Sequence, residues 1–276
     1  MKIIKQFKGN SGCRVELCED EGQRYVRKTS HEDAYNRRLS EQMRRLDRIS
    51  ELGNIAAPRV LSVGHDTGGN FFYTMEYVSG VSLAEYLLSA SIVDALAVFT
   101  TLLGWIDTNK RAASRTGAFW IDDVAGAKTR DLFRADASLA GDMRSLPWFS
   151  HNQLPVSFYH GDLTFENIIV RDGGELVLID PLESYMPNFF ADVTKICTEL
   201  FCFWSRLNSG VEINVGVYSV LRDALLNSSV YEQYGSCMET LVAIDMLRTV
   251  PYLRKHDPGK VDDVREAVRC LVSRRR

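Results

Sequence analysis

Tyr159-His160-Gly161-Asp162-Leu163-Thr164-Phe165-Glu166-Asn167-Ile168-Ile169-Val170, then the turn Asp172-Gly173-Gly174 and Leu176-Val177-Leu178-Ile179-Asp180, holds the densest chemical pattern in the chain. The apolar runs Val156 to Tyr159, Ile168 to Val170 and Leu176 to Ile179 read as short buried strands, and the paired glycines fold the last two into a hairpin. His160, Asp162, Asn167 and Asp180 fall where those runs end. An isolated Asp-x4-Asn reads as turn chemistry; four such groups at these intervals read as a site.

Written as H-x-D-L-x-x-x-N with a following hairpin and a strand ending in Asp, the stretch has the spacing of the kinase catalytic loop and its metal-binding aspartate. Phosphoryl transfer asks little covalent help of a protein, so positioning and charge neutralisation are the tasks to assign. Asp162 is expected to accept a hydrogen bond from a substrate hydroxyl and act as base. Asn167 offers a neutral amide oxygen and Asp180 an anionic one, a pair of hard donors suited to Mg²⁺ that keeps waters and phosphate oxygens in the rest of its shell. His160 is expected to brace the loop rather than to react.

Upstream, the first thirty residues alternate apolar and polar around two turn signals, Gly9-Asn10-Ser11-Gly12 and Glu19-Asp20-Glu21-Gly22, which predicts three antiparallel strands. Tyr35, Leu39, Met43, Leu46 and Ile49 form one stripe of an amphipathic helix over 31–52, ended by Gly53-Asn54. Strands follow around Arg59 to Val63 and Phe71 to Tyr77. Beyond Ser79-Gly80 the pattern turns helical, first over Leu83 to Leu88 and then Ile92 to Ile106. Residues 116–150 read as short helices and loops, and the chain from Asp192 to Val272 is again helical.

Composition excludes several classes. A formal charge of −3 gives no basic field for sequence-independent nucleic-acid binding. No apolar stretch reaches the ~18 residues needed to span a bilayer, and the basic start Met1-Lys2-Ile3-Ile4-Lys5 lacks a following apolar block, so a cytoplasmic protein is expected. Six cysteines include no CxxC pair, and Cys197 and Cys202 sit in an apolar helical run as small hydrophobes.

His160-Gly161-Asp162 with Asn167 and Ile179-Asp180 resembles the aminoglycoside phosphotransferase and choline kinase family, over nearly the whole chain. The resemblance implies an α+β, bilobal, protein-kinase-like fold. Residues 1–78 would form a small antiparallel-sheet lobe with one helix, residues 79–276 a larger, mainly helical lobe, with ATP in the cleft between them. It implies transfer of the γ-phosphate of ATP, with Mg²⁺, to a hydroxyl of a small molecule. Gly161 in place of Arg, Asp180-Pro181-Leu182 in place of Asp-Phe-Gly and the lack of an Ala-Pro-Glu segment make a protein acceptor the weaker expectation. A catalytically silent nucleotide-binding module is the other alternative, and the presence of Lys28, Asp162, Asn167 and Asp180 argues against it.

By the same resemblance, Ser11 and Gly12 would cover the phosphates, Val26 would roof the adenine, and Lys28, on the same face of its strand, would reach the α- and β-phosphates. Met75-Glu76-Tyr77-Val78 resembles the hinge, where the Glu76 carbonyl and Val78 amide would meet the adenine and Met75 would line the back of the pocket. The helix partner of Lys28 departs from the kinase pattern. Glu41 has the usual chemistry but points away from the apolar stripe at 100° per residue, while Gln42 lies within it, so Gln42 is expected to take the position. Asp192 would start a helix, as an N-cap, and brace the catalytic loop; Glu183 and Tyr185 are candidate acceptor contacts. Arg38-Leu39 with Gln42, Asp180-Pro181 with Asp192 and Lys195, and Leu247-Arg248-Thr249-Val250-Pro251-Tyr252 are similar to phosphotransferases of bacterial surface-polysaccharide and sugar metabolism.

Overall fold

A computed structural model describes residues 2–7, 13–52, 55–139, 141–142, 146 and 153–273, with backbone alone for 232–237, 256, 272 and 273. The expected turn Gly9 to Gly12, including Ser11, and the helix stop Gly53-Asn54 lie outside the described residues.

The chain divides into two compact units, one running to Leu83 and including Asn167–Glu183, the other made of Ala84–Glu166 and Ser184–Arg276. In the first unit β1 (Lys2–Phe7), β2 (Cys13–Asp20), β3 (Gln23–Ser30), β4 (Val60–His65) and β5 (Phe71–Glu76) form one antiparallel sheet in the order β1-β2-β3-β5-β4. The helix α1 (Asp33–Glu51) packs on β3 and β5. Its stripe delivers Leu39 and Leu46 to a core that also takes Leu17, Val26, Phe71, Tyr73 and Met75. Register sets Val26 opposite Met75 and Lys28 opposite Tyr73, so a lysine is carried inward by the alternation that buries Val26.

A second sheet, β10-β9-β6, joins β9 (Ile168–Val170) and β10 (Leu176–Leu178) to the two-residue strand β6 (Val81–Ser82). Gly80 precedes β6 with φ +145°, and a Cβ there would stand 2.5 Å from the Val170 carbonyl oxygen, so the approach to β9 requires glycine.

The second unit holds α2 (Leu83–Ser89, entered from the first unit), α3 (Ile92–Arg111), the hairpin-like pair β7 (Ser114–Trp120) and β8 (Gln153–Val156), and α4 (Ile121–Ala135). Beyond Ser184 come α5 (Phe190–Cys202), α6 (Trp204–Ser209), α7 (Val215–Leu226), α8 (Ser229–Leu247), α9 (Val250–His256) and α10 (Val261–Ser273). The helix α5 is buried nearly all round, including Cys197 and Cys202, because α7, α8 and α10 all pack on it.

Two expectations fail here. Ser114–Trp120, all but its first two residues in a segment read as short helices and loops, is a strand; it lacks an alternating apolar pattern because its first four residues are exposed, and its partner lies over thirty residues on. The strand expected at Val156 to Tyr159 ends at Val156 instead. Ser157 leaves it by donating its amide to the Pro187 carbonyl at 3.2 Å, while the Phe189 amide donates to the Ser157 hydroxyl at 2.9 Å. No helix among the described residues is long and apolar enough to cross a membrane.

Candidate active site

In the second unit, two carboxylates of α5 hold the loop that carries Asp162. Asp192 accepts from the amides of His160 at 2.8 Å and Gly161 at 2.7 Å, one on each oxygen. Gly161 stands at φ +90°, a conformation that suits glycine and lets consecutive amides converge on one side chain. Seven residues later, two turns along the same face, Glu199 accepts from the Phe165 amide at 3.0 Å and from the amide and hydroxyl of Ser205. Asp192 lies within the first turn of α5 rather than at its N-cap, which is Phe189; its oxygens are taken by the loop instead of by the helix's own amides. His160, fully buried, accepts the Asp162 amide on Nδ1 at 3.3 Å and so braces the turn.

Burial pushes the Glu199 carboxyl up to about 7, against the lowering effect of the Ser205 and Phe165 hydrogen bonds. Its folded value therefore lies above its ordinary 4.5. The folded state binds this proton more tightly, so the contribution to stability is full below the ordinary value and is lost as pH rises through about 7. Thermal unfolding should show the wild type losing stability between about pH 5 and pH 8 more steeply than Glu199→Gln. Parallel curves would contradict it.

The exposed oxygens of the loop meet a cation from the same helix. Lys195 Nζ lies 3.4 Å from Asp162 Oδ1 and 3.6 Å from Asp245 Oδ2 of α8. Burial opposes the Lys195 charge, but Asp245 and Asp162 outweigh it and raise its pKa. Burial likewise opposes the Asp245 charge, and there Lys195 and Arg248 prevail, holding its carboxyl below the usual range.

In the first unit, β10 ends at Leu178, and the Ile179 amide donates to the Asn167 carbonyl at 3.0 Å, which sets Asn167 and Asp180 on neighbouring strand ends. Asp180 adopts φ +62°, the left-handed conformation that a short polar side chain tolerates better than most. Lys28 forms an ion pair with Asp180 Oδ1. Gln42 sits between them: its amide oxygen accepts from Lys28 at 3.3 Å, and its amide nitrogen donates to Asp180 Oδ1 at 2.5 Å. Tyr73 donates to the same Gln42 oxygen at 3.3 Å. A glutamate could accept from Lys28 but could not donate to Asp180, and would add a second negative charge beside it. Glu41 is on the surface, 3.6 Å from Arg44 and 3.7 Å from Arg45.

Gln42→Ala should therefore lower activity about tenfold, in line with a lost charge-assisted hydrogen bond, and Glu41→Ala should leave it within about twofold, as for exposed pairs. Steady-state rates of the two variants side by side check this; equal losses would contradict it.

Val26 and Met75 are buried neighbours across β3 and β5. Glu76 accepts at its carboxylate from Arg59 Nε at 3.1 Å, and Val78 follows the end of β5, half-buried. Of the candidate acceptor contacts, Glu183 is exposed, and the Tyr185 ring lies against Arg248. Sequence reasoning missed Glu199, Asp245 and Lys128, which join this region from positions without a local motif. The seven-residue step from Asp192 to Glu199 was the one available signal.

A family model described as a phosphotransferase enzyme family matches residues 3–216. Comparison with curated proteins finds no match. Among solved structures, the chain is similar to a thermostable mutant of aminoglycoside phosphotransferase APH(4)-Ia in complex with ADP and hygromycin B, at 13% identity and TM-score 0.61, covering 98% of this chain and 92% of that one. It is similar to an aminoglycoside phosphotransferase, APH(2")-IIIa, in complex with GDP and kanamycin, at 12% identity and TM-score 0.61, covering 99% and 95%. A protein assigned as a fructosamine-3-kinase from Haemophilus somnus 129PT aligns at 14% identity and TM-score 0.54, covering 98% and 92%. At such identities the likeness shows the fold, which is the α+β, protein-kinase-like one.

Proposed function

The chain belongs to the phosphotransferase enzyme family, and from that premise we propose that it transfers the γ-phosphate of ATP to a hydroxyl of a small molecule, a sugar or polyol, with Mg²⁺. The observation that carries the proposal is the convergence of Lys28, Gln42 and Asp180, with Asn167 on the adjoining strand end. A nearly buried lysine held by an amide and a carboxylate is poised to give its charge to phosphate oxygens. Two of the solved structures similar to it hold a nucleotide together with an aminoglycoside, a hydroxyl-rich sugar.

The donor set fits a magnesium ion. Asp180 is 39% exposed in its side chain, open to a ligand, and the backbone bond between Ile179 and Asn167 sets the two residues on neighbouring strand ends. Bound Mg²⁺ would neutralise charge across the β- and γ-phosphates. Lys28 would hold the α- and β-phosphates, Ser11 and Gly12 the phosphate oxygens through backbone amides, and Val26, Met75 and the backbone of Glu76 and Val78 the adenine.

Asp162 would orient the acceptor. Its carboxylate takes the hydrogen bond of the hydroxyl; the hydroxyl oxygen attacks the γ-phosphorus as the bond to the ADP oxygen breaks, and the proton passes to Asp162. Asp192 holds the two preceding amides, so the carboxylate is fixed before substrate arrives. A cytoplasmic location suits a reaction that draws on ATP.

The test is a screen of sugars, polyols, amino alcohols and aminoglycosides for acceptor-dependent ADP release, with a generic protein substrate alongside. Acceptor-dependent release with a small alcohol supports the proposal. Nucleotide binding without release for any acceptor, or phosphate incorporated only into protein, contradicts it.

A further inference from the structure

In the second unit, the side chains linked to Asp162 through Lys195 and the Tyr185 ring include three cations and one further carboxylate. Asp245, with 2% of its side chain exposed, is engaged by Lys195 at 3.6 Å and by Arg248. Lys195 is shared with Asp162. Arg248 then lies with its guanidinium carbon 4.9 Å from the centre of the Tyr185 ring, and Lys128 of α4 brings its ammonium to 5.5 Å from the same centre. One aromatic ring thus carries two cations, an arrangement that stabilises each by the ring's quadrupole but leaves their mutual repulsion unmet.

Lys128 forms no ion pair with a carboxylate among the described residues. Asp131, one turn along α4, faces Arg134 at 3.5 Å and adds no net charge. Lys128, Lys195 and Arg248 against Asp162 and Asp245 leave one positive charge in excess. The excess grows to two when Asp162 takes the acceptor's proton. Burial lowers the Lys128 pKa, and Arg248 and Lys195 lower it further against Asp131 and Asp245, as expected of an ammonium in a positive field.

Resting on the kinase reading above, we propose that the acceptor is an anionic alcohol, bearing a phosphate or carboxylate group besides the hydroxyl to be phosphorylated, and that Lys128 and Arg248 bind that group. A guanidinium and an ammonium on a shared ring offer a fork and a point charge to oxygen anions. The same field repels the polycations that aminoglycosides are at neutral pH. Phosphate and carboxylate share the chemistry, and the charge of the group decides the order between them.

The test uses matched acceptors: a neutral hexose, its 6-phosphate, its uronic acid and kanamycin. The 6-phosphate or the uronic acid should exceed the hexose in kcat/KM by about tenfold or more, a gap of the size one desolvated charge contact supports. Lys128→Met should raise KM for the anionic acceptor about tenfold while kcat moves by less than about threefold, the pattern of lost ground-state binding. Equal or better use of the hexose or kanamycin would overturn the proposal, as would an anion preference that survives Lys128→Met.

A second readout needs no turnover. Acylation of Lys128 by a neutral amine reagent, followed by peptide mass spectrometry with Lys110 as internal control, should slow in inorganic phosphate relative to chloride at equal ionic strength. Equal labelling in both salts would overturn the proposal. Failure of the kinase reading would show separately, as a wild-type protein that does not bind ATP.

Discussion

Asp180→Ala is expected to lower transfer by about 10³-fold or more and to weaken Mg²⁺–ATP binding by at least about tenfold, on the scale of losing a preorganised charge-stabilising group. The reason lies in what the carboxylate touches. One oxygen meets both Lys28 and Gln42, so on the proposed reading its removal takes away a metal donor and unfixes the lysine in a single step. Lys28 has 3% of its side chain exposed against 39% for Asp180, so the stranded ammonium stays largely out of water. Truncating one partner of a fully buried pair costs about 3–5 kcal/mol; the exposure of Asp180 screens part of that, and a smaller loss of stability is expected. Asp180→Asn separates the two effects. It keeps an oxygen for Lys28 but not the negative charge, so stability should recover further than activity does. Recovery of both together would contradict the metal-binding role.

Asp162→Ala is expected to reduce kcat by about 10²–10⁴-fold, the range for a positioned acid or base, with the affinity for ATP changed by less than about threefold. Within the second unit the Asp162 carboxylate meets Lys195, and its amide donates to His160. Removing it frees Lys195, which keeps Asp245 as a partner, so the loop should hold its shape. Nucleotide affinity by fluorescent-analogue titration, beside single-turnover rates, separates the steps. A variant that loses ATP binding in proportion to turnover would contradict an acceptor-orienting role.

Much of this arrangement could be read before any coordinates. The 100° arithmetic on α1 already sets Gln42 in the stripe with Leu39 and Leu46, and the same rotation turns Glu41 toward solvent, where Arg44 and Arg45 meet it. Period-two alternation sends Lys28 inward with Val26. Gly161 and Gly80 mark backbone that other residues would strain. What the sequence hid was tertiary. Asp245 reaches Lys195 from a helix fifty residues on, bringing Arg248 as its second cation, and Lys128 reaches Tyr185 from one about sixty residues before. The pairing of β7 with β8 escaped notice because an exposed strand with a distant partner leaves neither periodicity nor a turn signal.

On the proposed reading, the two charge clusters suit different ligands. Lys28 is matched one-to-one with Asp180, a balance that phosphate and metal can replace without net change. Around Asp162 the balance is broken in favour of cations, which suits an acceptor that brings negative charge of its own.

The central claim, that Asp180 with Asn167 holds the metal through which ATP is bound, is most directly tested by calorimetric titration of ATP into wild-type protein and Asp180→Asn, each with and without Mg²⁺. The account predicts that Mg²⁺ tightens ATP binding at least about tenfold in the wild type and has little effect in the variant, since about 1.4 kcal/mol is one decade. The same Mg²⁺ enhancement in both proteins would contradict it.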